Sequence, residues 1–175
     1  HIPLIKFRQN TLDQNDYQKI KVIREELKKT NFVVSEISAP SLLQINTIVS
    51  KCQPDIVILD HLEHTTIKGR KDDFRISFEE FIRELKNIAK ENNCSMIVTS
   101  QLNRMADSRN PDIKTIRSSD VLEHVSDIVI MLASEDQMQV ERLLHTYVKK
   151  NRYGELGYIP LIFSTACGII KERPI

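Results

Sequence analysis

The sequence predicts an α/β fold in which helices flank a mainly parallel sheet that continues into antiparallel strands. Three observations lead to this prediction. From Asp13 to Ser100, apolar residues with helical spacing alternate with short apolar runs. The apolar run Ile56–Leu59 has the composition of a buried strand in a parallel sheet, and it is followed directly by Asp60. This order places the Asp60 carboxylate at the carboxyl edge of the predicted sheet. Beyond Ser126, three apolar runs follow without a helix between them, which is typical of an antiparallel extension.

The N-terminal part is predicted to hold two helices and one strand. Helical spacing predicts a helix from Asp13 to Lys29, with the Asp13 side chain as its cap. A short strand is expected over Phe32–Ile37. After Ser38–Pro40, a second helix has its apolar face at Leu42, Leu43, Ile45, Ile48 and Val49.

The central part is predicted to continue the alternation. The polar and basic stretch 61–73, directly after Asp60, is expected to be a mobile surface loop. Ser77 is predicted to cap a long helix that runs through Lys90 with its apolar face toward the sheet. A further buried strand is expected over Ser95–Ser100.

The C-terminal part changes character. Residues Gln101–Ser126 are polar and lack a sustained apolar period, so they are predicted to form a long loop with a short helix. Loops of this length inside compact domains are usually functional. Strands are expected at Ile128–Leu132, Leu143–Val148 and Tyr158–Phe163.

Length and composition exclude several classes of protein. A chain of 175 residues is the size of one ordinary domain, and its 41% hydrophobic and 28% charged residues are those of a globular protein rather than a membrane or disordered one. The net charge of +1 means that any nucleic-acid contact must come from a local basic patch. Three widely spaced cysteines predict reduced thiols and a cytoplasmic location.

A phosphate-binding loop is absent from this sequence. The motif G-x-x-x-x-G-K-[ST] needs two glycines five positions apart. The four glycines, none of which form such a pair, are Gly69, Gly154, Gly157 and Gly168.

Two motifs are more specific than any single residue. Residues 100–104 read S-Q-L-N-R, and residues 150–157 fit K-x-R-x-G-x-x-G. Together with residues 2–12, they resemble the C-terminal motor domain of the DnaB-type hexameric replicative helicases. The resemblance implies a RecA-like P-loop NTPase core, of which residues 1–175 are a single partial domain running from the Walker B strand to the arginine finger. It places the family's phosphate-binding lysine and catalytic glutamate upstream of His1.

The resemblance implies a nucleotide site at the strand ends. Asp60 takes the Walker B role and holds the Mg²⁺ of ATP, which suits a hard oxygen ligand near phosphates. Ser100 and Gln101 belong to the same site, with Gln101 as the sensor of the γ-phosphate. Without the resemblance, Asp60 is equally explained as a cap or turn residue. Gln101 taken alone is better explained as a polar residue that ends a strand.

The resemblance also implies that Lys150 and Arg152 reach the ATP of a neighbouring subunit. Two cations separated by one residue on an extended segment point to the same side. A guanidinium there can stabilise the charge on a transferring phosphoryl group. The alternative is a solvated basic hairpin that includes Lys149.

The loop around Arg117 corresponds to the family's single-stranded DNA contact. Here the family's R-E-S-G becomes Arg117, Ser118, Ser119 and Asp120, so an acid replaces the glycine whose backbone could approach a phosphate. Arg117 is therefore the strongest DNA-binding candidate, followed by Ser118 and Asp120. His61 and His64 are interpreted as exposed polar residues, with no zinc assigned.

The function that follows is part of an ATP-dependent replicative DNA helicase, which moves on single-stranded DNA as a ring, expected to be a hexamer, and unwinds duplex DNA. Its cofactors are ATP and Mg²⁺, and its partners are further copies of itself, a helicase loader and primase. This chain alone is predicted to be inactive. Two alternatives stay open: another RecA-family ATPase, such as a recombinase, and a non-catalytic DNA-binding or helicase-docking module.

Overall fold

The strands form two sheets in the part of the chain that the structure describes. This computed structural model describes residues 1–67, 74–102, 110–116, 119–134 and 141–173. The helices are α1 (Leu4–Arg8), α2 (Gln14–Leu27), α3 (Leu42–Cys52), α4 (Phe74–Glu91) and α5 (Ser119–Val125). The strands are β1 (Ile56–Leu59), β2 (Ser95–Val98), β3 (Ile128–Ala133), β4 (Glu141–Asn151), β5 (Gly157–Ser164) and β6 (Ile169–Glu172).

The first sheet is a parallel pair, β1 and β2. Ile56 lies opposite Ser95 and Leu59 opposite Val98, so the two strands end side by side. This register brings the residues that follow each strand, Asp60 and Thr99, to the same edge. The sheet therefore places polar groups from two distant segments next to each other.

The second sheet is antiparallel, with strand order β3-β4-β5-β6. Its longest strand, β4, pairs with both β3 and β5, and the β3–β4 register shifts between Val129 and Ile130. Ile128 lies opposite Asn151, which brings the end of β4 close to the chain that enters β3. Within the described residues, β2 and β3 each have a strand along one edge only.

The core lies between the parallel pair and three helices. Helices α3, α4 and α5 pack their apolar residues together with Leu62, which is 1% exposed. The side chains that face this core from the sheet are Val57, Leu59, Met96 and Val98. The buried members of the core are Ile45, Val49, Leu62, Phe78, Phe81, Ile82, Leu85, Ile88 and Val121.

The opposite face of the parallel pair is exposed. Ile56, Ile58 and Ile97 are each at least half exposed, because the core helices cover only the other face. The prediction that β1 and β2 are buried strands is therefore correct for the face toward the core and wrong for the opposite face. Alternate residues of β3, Ile128 and Ile130 among them, are exposed to a similar extent.

Most predicted elements are confirmed. Asp13 caps α2 in a capping box with Asp16, and Ser41 caps α3 in the same way with Gln44. The predicted strand over Phe32–Ile37 is wrong, because no strand forms there and its large apolar side chains are mostly exposed without a neighbouring strand. These residues have strand composition, but they pair with no strand in the part of the chain that the structure describes.

The start of α4 differs from the prediction, and helix α1 and strand β6 were not predicted. Helix α4 begins at Phe74, so Ser77 lies inside the helix and the prediction that it caps this helix is wrong. The apolar spacing of Phe74, Phe78 and Phe81 continues the helical period upstream of Ser77. Helix α1 and strand β6 are short and have weak patterns. No helix in the described ranges is long and apolar enough to cross a membrane.

Candidate functional site

The ends of β1 and β2 are joined by a hydrogen bond between side chains. The Thr99 hydroxyl donates to Asp60 Oδ1 at 2.6 Å. The Leu62 backbone N–H donates to the Thr99 carbonyl at 3.0 Å, so the turn after β1 is tied to the residue after β2. Asp60 is exposed, and the hydrogen bond from Thr99 to one of its two carboxylate oxygens sets its orientation.

Glu63 organises the second half of this edge. Its Oε1 accepts a hydrogen bond from the Ser100 hydroxyl at 2.6 Å and another from the Gln101 backbone N–H at 3.1 Å. Its Oε2 lies 2.7 Å from Nδ1 of His61. Glu63 therefore fixes the backbone at Ser100 and Gln101 while its own side chain is about one-fifth exposed.

Glu63 is held as a carboxylate. Burial raises the pKa of Glu63, but hydrogen bonds from Ser100, its own backbone, His61 and Gln101 outweigh this and keep the pKa below the ordinary 4.5. A carboxylate that accepts several hydrogen bonds favours its charged form. At neutral pH Glu63 is therefore an anion whose oxygens accept hydrogen bonds from neighbouring residues.

Leu62 connects Asp60 and Glu63 to the core. It opens the one-turn 3-10 helix Leu62–His64, and its side chain is almost fully buried in the helical core. Asp60, two residues before it, and Glu63, directly after it, lie at the strand-end edge. Burial of one leucine therefore fixes the position of two carboxylates.

The strand-end residues fit the magnesium side of a nucleotide site. Mg²⁺ prefers one or two carboxylates, with water and phosphate oxygens completing its ligands. Asp60 offers an exposed carboxylate with one oxygen oriented by Thr99, and the Ser100 hydroxyl lies on the same edge. A phosphate loop, whose backbone amides and lysine would hold the phosphates, is not found in this sequence, because the glycine pair that it needs is lacking.

Lys150 and Arg152 form a second site at the end of α5. The Lys150 ammonium donates to the Glu123 carbonyl, and the Arg152 guanidinium donates to the His124 carbonyl at 2.7 Å. The last carbonyls of a helix carry partial negative charge, which favours cations. The two cations do point to the same side, as their spacing predicted.

Asp127 joins this second site to α4. Its Oδ1 accepts from Arg152 Nη1 at 2.9 Å, and its Oδ2 accepts from Lys86 Nζ at 2.6 Å. Lys86 also donates to the Val125 carbonyl at 3.0 Å. The hydrogen bond from Lys86, followed by the charges of Lys86 and Arg152, lowers the pKa of Asp127 below its ordinary value, although burial opposes this.

The candidate residues thus separate into two groups. The structure brings Asp60, Ser100 and Gln101 to one edge, and Lys150 with Arg152 to the C-terminal end of α5. Within the described ranges, no hydrogen bond or ion pair joins the two groups. The cations contact helix carbonyls and a carboxylate, so a merely solvated hairpin does not describe them.

The predicted DNA-binding residues fall where little is described. Arg117 and Ser118 lie outside the described residues, as do residues 68–73 of the predicted surface loop. Asp120 belongs to α5, but its side chain is not described. The DNA assignments stay predictions.

Sequence reasoning missed three residues that hold these sites together. Glu63, Lys86 and Asp127 received no role from the sequence. A carboxylate three residues after the Walker B candidate is the only local signal for Glu63. Lys86 and Asp127 are 41 residues apart, and their pairing depends on tertiary structure alone.

The fold matches solved helicase structures. The structure titled "ATPase Domain of G40P" superimposes with a TM-score of 0.83 at 22% identity, over 99% of this chain and 66% of that one. The structure titled "The Structure Of A DnaB-Like Replicative Helicase And Its Interactions With Primase" gives a TM-score of 0.82 at 22% identity, over 99% of this chain and 45% of that one. These likenesses show that this chain shares the fold of those two structures.

Several relatives match most of this chain. The replicative DNA helicase DnaC of Bacillus subtilis is 26% identical over 89% of this chain and 37% of its own length. The probable replicative DNA helicase of Trieres chinensis is 26% identical over 91% and 38%, respectively. The probable plasmid replicative DNA helicase of Chlamydia psittaci is 23% identical over 93% and 38%. The chain thus spans well under half the length of these relatives.

The sequence profile of one family covers nearly the whole chain. The DnaB-like helicase C terminal domain profile matches residues 1–171. This match includes the strand-end edge and the basic pair at the end of α5. The chain therefore belongs to the DnaB-like helicase C-terminal domain family.

Proposed function

We propose that this chain is part of an ATP-dependent replicative DNA helicase that moves along single-stranded DNA as a hexameric ring and unwinds duplex DNA. Residues 1–175 form one partial RecA-like ATPase domain of that protein. The observation that carries the proposal is the strand-end edge, where Thr99 orients the exposed carboxylate of Asp60 and Glu63 holds Ser100 and Gln101. This is where nucleotides bind in open α/β sheets.

Each strand-end residue has a distinct role in the proposal. Asp60 holds Mg²⁺, directly or through a bound water, and Ser100 adds a hydroxyl oxygen to the same edge. Gln101 senses the γ-phosphate, since a neutral amide can donate to phosphate or accept from water without adding charge. ATP supplies the phosphoryl group whose transfer to water releases free energy. The chain by itself, with no phosphate loop in its sequence, hydrolyses no ATP.

Lys150 and Arg152 act on the nucleotide of a neighbouring subunit. Both cations lie at the end of α5, and no contact ties them to the strand-end edge of their own chain within the described residues. A cationic group supplied by a neighbour stabilises the charge that develops on the transferring phosphoryl group. Hydrolysis then depends on assembly of the ring.

The remaining partners follow from the same proposal. Single-stranded DNA is held by Arg117 with Ser118, through phosphate contacts that carry no sequence information. Asp120 follows in the sequence and contributes only its backbone, because a carboxylate repels phosphate. A solved relative is described together with primase, and we extend primase and a helicase loader to this protein as partners. The phosphate contacts to DNA do not read the bases, which suits a motor that moves along any sequence.

Complementation between two defective subunits tests this proposal in the complete helicase. Rings made only of Asp60→Asn or only of Arg152→Ala are expected to lose ATPase activity stimulated by single-stranded DNA. Mixed rings are expected to regain it, because the Asp60→Asn subunit still donates Arg152 to the intact site of its neighbour. The matched control is Arg83→Ala, which removes an exposed arginine of α4 and is expected to keep full activity.

Two results would count against the proposal. If mixed rings stay inactive while each variant assembles normally, the trans role of Arg152 is wrong. If the unaltered complete protein binds single-stranded DNA but hydrolyses no ATP, the chain belongs to a non-catalytic module instead.

A further inference from the structure

We infer that Asp127 is a positioning residue for Arg152, holding its guanidinium in the pose that it presents to a neighbouring subunit. This inference rests on the proposed function, in which Arg152 acts in trans. Asp127 touches no nucleotide in this proposal and acts only through Arg152. Five hydrogen bonds carry the argument.

Asp127 holds Arg152 at both its backbone and its side chain. The Arg152 backbone N–H donates to the Asp127 carbonyl at 3.0 Å, and Arg152 Nη1 donates to Asp127 Oδ1 at 2.9 Å. A flexible side chain is thereby fixed at its base and at its tip. The His124 carbonyl accepts from Nη2 at 2.7 Å and completes the clamp.

The clamp leaves part of the guanidinium available. A guanidinium has five N–H donors in a fixed plane. The two described side-chain contacts engage one donor on each terminal nitrogen. The side chain is still 45% exposed, so an oxyanion can approach the donors that remain.

Lys86 fixes the carboxylate in turn. It donates to Asp127 Oδ2 at 2.6 Å and to the Val125 carbonyl at 3.0 Å. Lys86 follows Leu85, whose side chain is 2% exposed in the core, so the ammonium extends from a firmly packed helix. Asp127 therefore connects Lys86 of the well-packed helix α4 to the Arg152 guanidinium that it positions.

Stability alone does not account for this network. The Asp127, Lys86 and Arg152 side chains are between 24% and 45% exposed, and ion pairs of that exposure add little to folding stability. Orientation is a different matter, because small displacements of a catalytic cation lower rates strongly. The two explanations make opposite predictions for an isosteric substitution.

Asp127→Asn in the complete helicase tests the inference. We expect the kcat of ATP hydrolysis stimulated by single-stranded DNA to fall about tenfold or more, with the KM for ATP and the thermal unfolding midpoint nearly unchanged. Glu91→Gln makes the same carboxylate-to-amide change at the exposed end of α4 and is the matched control. An Asp127→Asn protein as active as Glu91→Gln would overturn the inference.

Mixed rings separate positioning from a general structural defect. Asp127→Asn subunits are expected to regain activity when mixed with Asp60→Asn subunits, which supply a correctly held Arg152. They are expected to show no such gain with Arg152→Ala subunits, since no subunit then donates a well-placed guanidinium. Equal activity in both mixtures contradicts the inference.

The result is distinguishable from failure of the proposed function. If rings of Arg152→Ala keep full ATPase activity, the trans role itself is wrong. If Arg152→Ala is inactive and Asp127→Asn is fully active, only the positioning role is wrong.

Should Asp127→Asn fail to assemble, Lys86→Met is a second test that leaves Asp127 in place. We expect Lys86→Met to lower kcat and to show the same pattern of rescue. Rescue of Lys86→Met by Arg152→Ala subunits would contradict the inference.

Discussion

The Thr99 hydroxyl donates a hydrogen bond of 2.6 Å to Asp60 Oδ1, linking residues that are 39 positions apart. This contact sets the orientation of the one carboxylate proposed to hold Mg²⁺. It depends on the parallel register of β1 and β2, which ends both strands at the same level.

Thr99→Val tests whether this orientation matters. Valine keeps the shape of threonine and removes the donor, so Asp60 is free to rotate. We expect kcat of the complete helicase to fall about tenfold, equivalent to about 1.4 kcal/mol, and half-saturation to require more Mg²⁺. Thr47→Val is the matched control, because the Thr47 hydroxyl donates to a carbonyl of its own helix at 2.7 Å. Equal activity of the two variants contradicts the role of Thr99.

Leu62→Ala is expected to affect stability and the site together. Leu62 is 1% exposed, and removal of a buried leucine side chain typically costs about 2–5 kcal/mol. The free energy of unfolding, measured with urea, should fall by that amount. Leu43→Ala is the control, since Leu43 is 77% exposed and its loss should change stability by about 0.5 kcal/mol or less. Similar costs for both variants would mean that Leu62 is not packed as described.

The Asp13 carboxyl is expected to titrate at unusually low pH. Its hydrogen bond from Lys6, then that from the Asp16 backbone N–H, lowers the pKa from 3.8 to about 2. Because the folded-state pKa is depressed, this contribution to stability is present above 3.8 and is lost as the pH falls toward 2. NMR titration of the carboxyl carbon measures the pKa directly. Lys6→Met should raise it toward 3.8, whereas Lys28→Met, which breaks a separate pair with Glu25, should leave it unchanged.

Arg117→Ala is expected to weaken binding of single-stranded DNA by the complete helicase. If Arg117 contacts a phosphate, its loss should reduce the slope of log K against log salt concentration by about 0.7 per contact. The affinity loss should be the same for unrelated DNA sequences, because phosphate contacts are not base-specific. Lys114→Ala, which removes a nearby exposed cation, is the control. An unchanged salt slope in Arg117→Ala argues against a phosphate contact.

The sequence was sufficient for features that depend on local pattern. The strand Ile56–Leu59, the capping of α2 by Asp13 and the helical spacing of α3 were all predicted correctly. Each depends on residues within a few positions of one another. The motif that contains Lys150 and Arg152 likewise predicted that both cations lie on one side.

The rest depends on contacts between distant segments. Glu63 meets Ser100 only because β1 and β2 are adjacent, and Lys86 meets Asp127 only because α4 packs beside α5. The strand predicted over Phe32–Ile37 failed for a related reason. Strand composition alone does not decide whether a segment joins a sheet, because strand pairing depends on contacts with distant segments.

Among the described residues, β2 and β3 each have one edge without a neighbouring strand, and this has a practical consequence for handling the isolated chain. Each edge presents a row of backbone donors and acceptors, and exposed isoleucines lie on the same two strands. Such edges act as templates for strands of other molecules. A concentrated solution of these 175 residues alone is therefore expected to form intermolecular β-structure, and its shelf life will be set by colloidal behaviour rather than by the thermodynamics of unfolding.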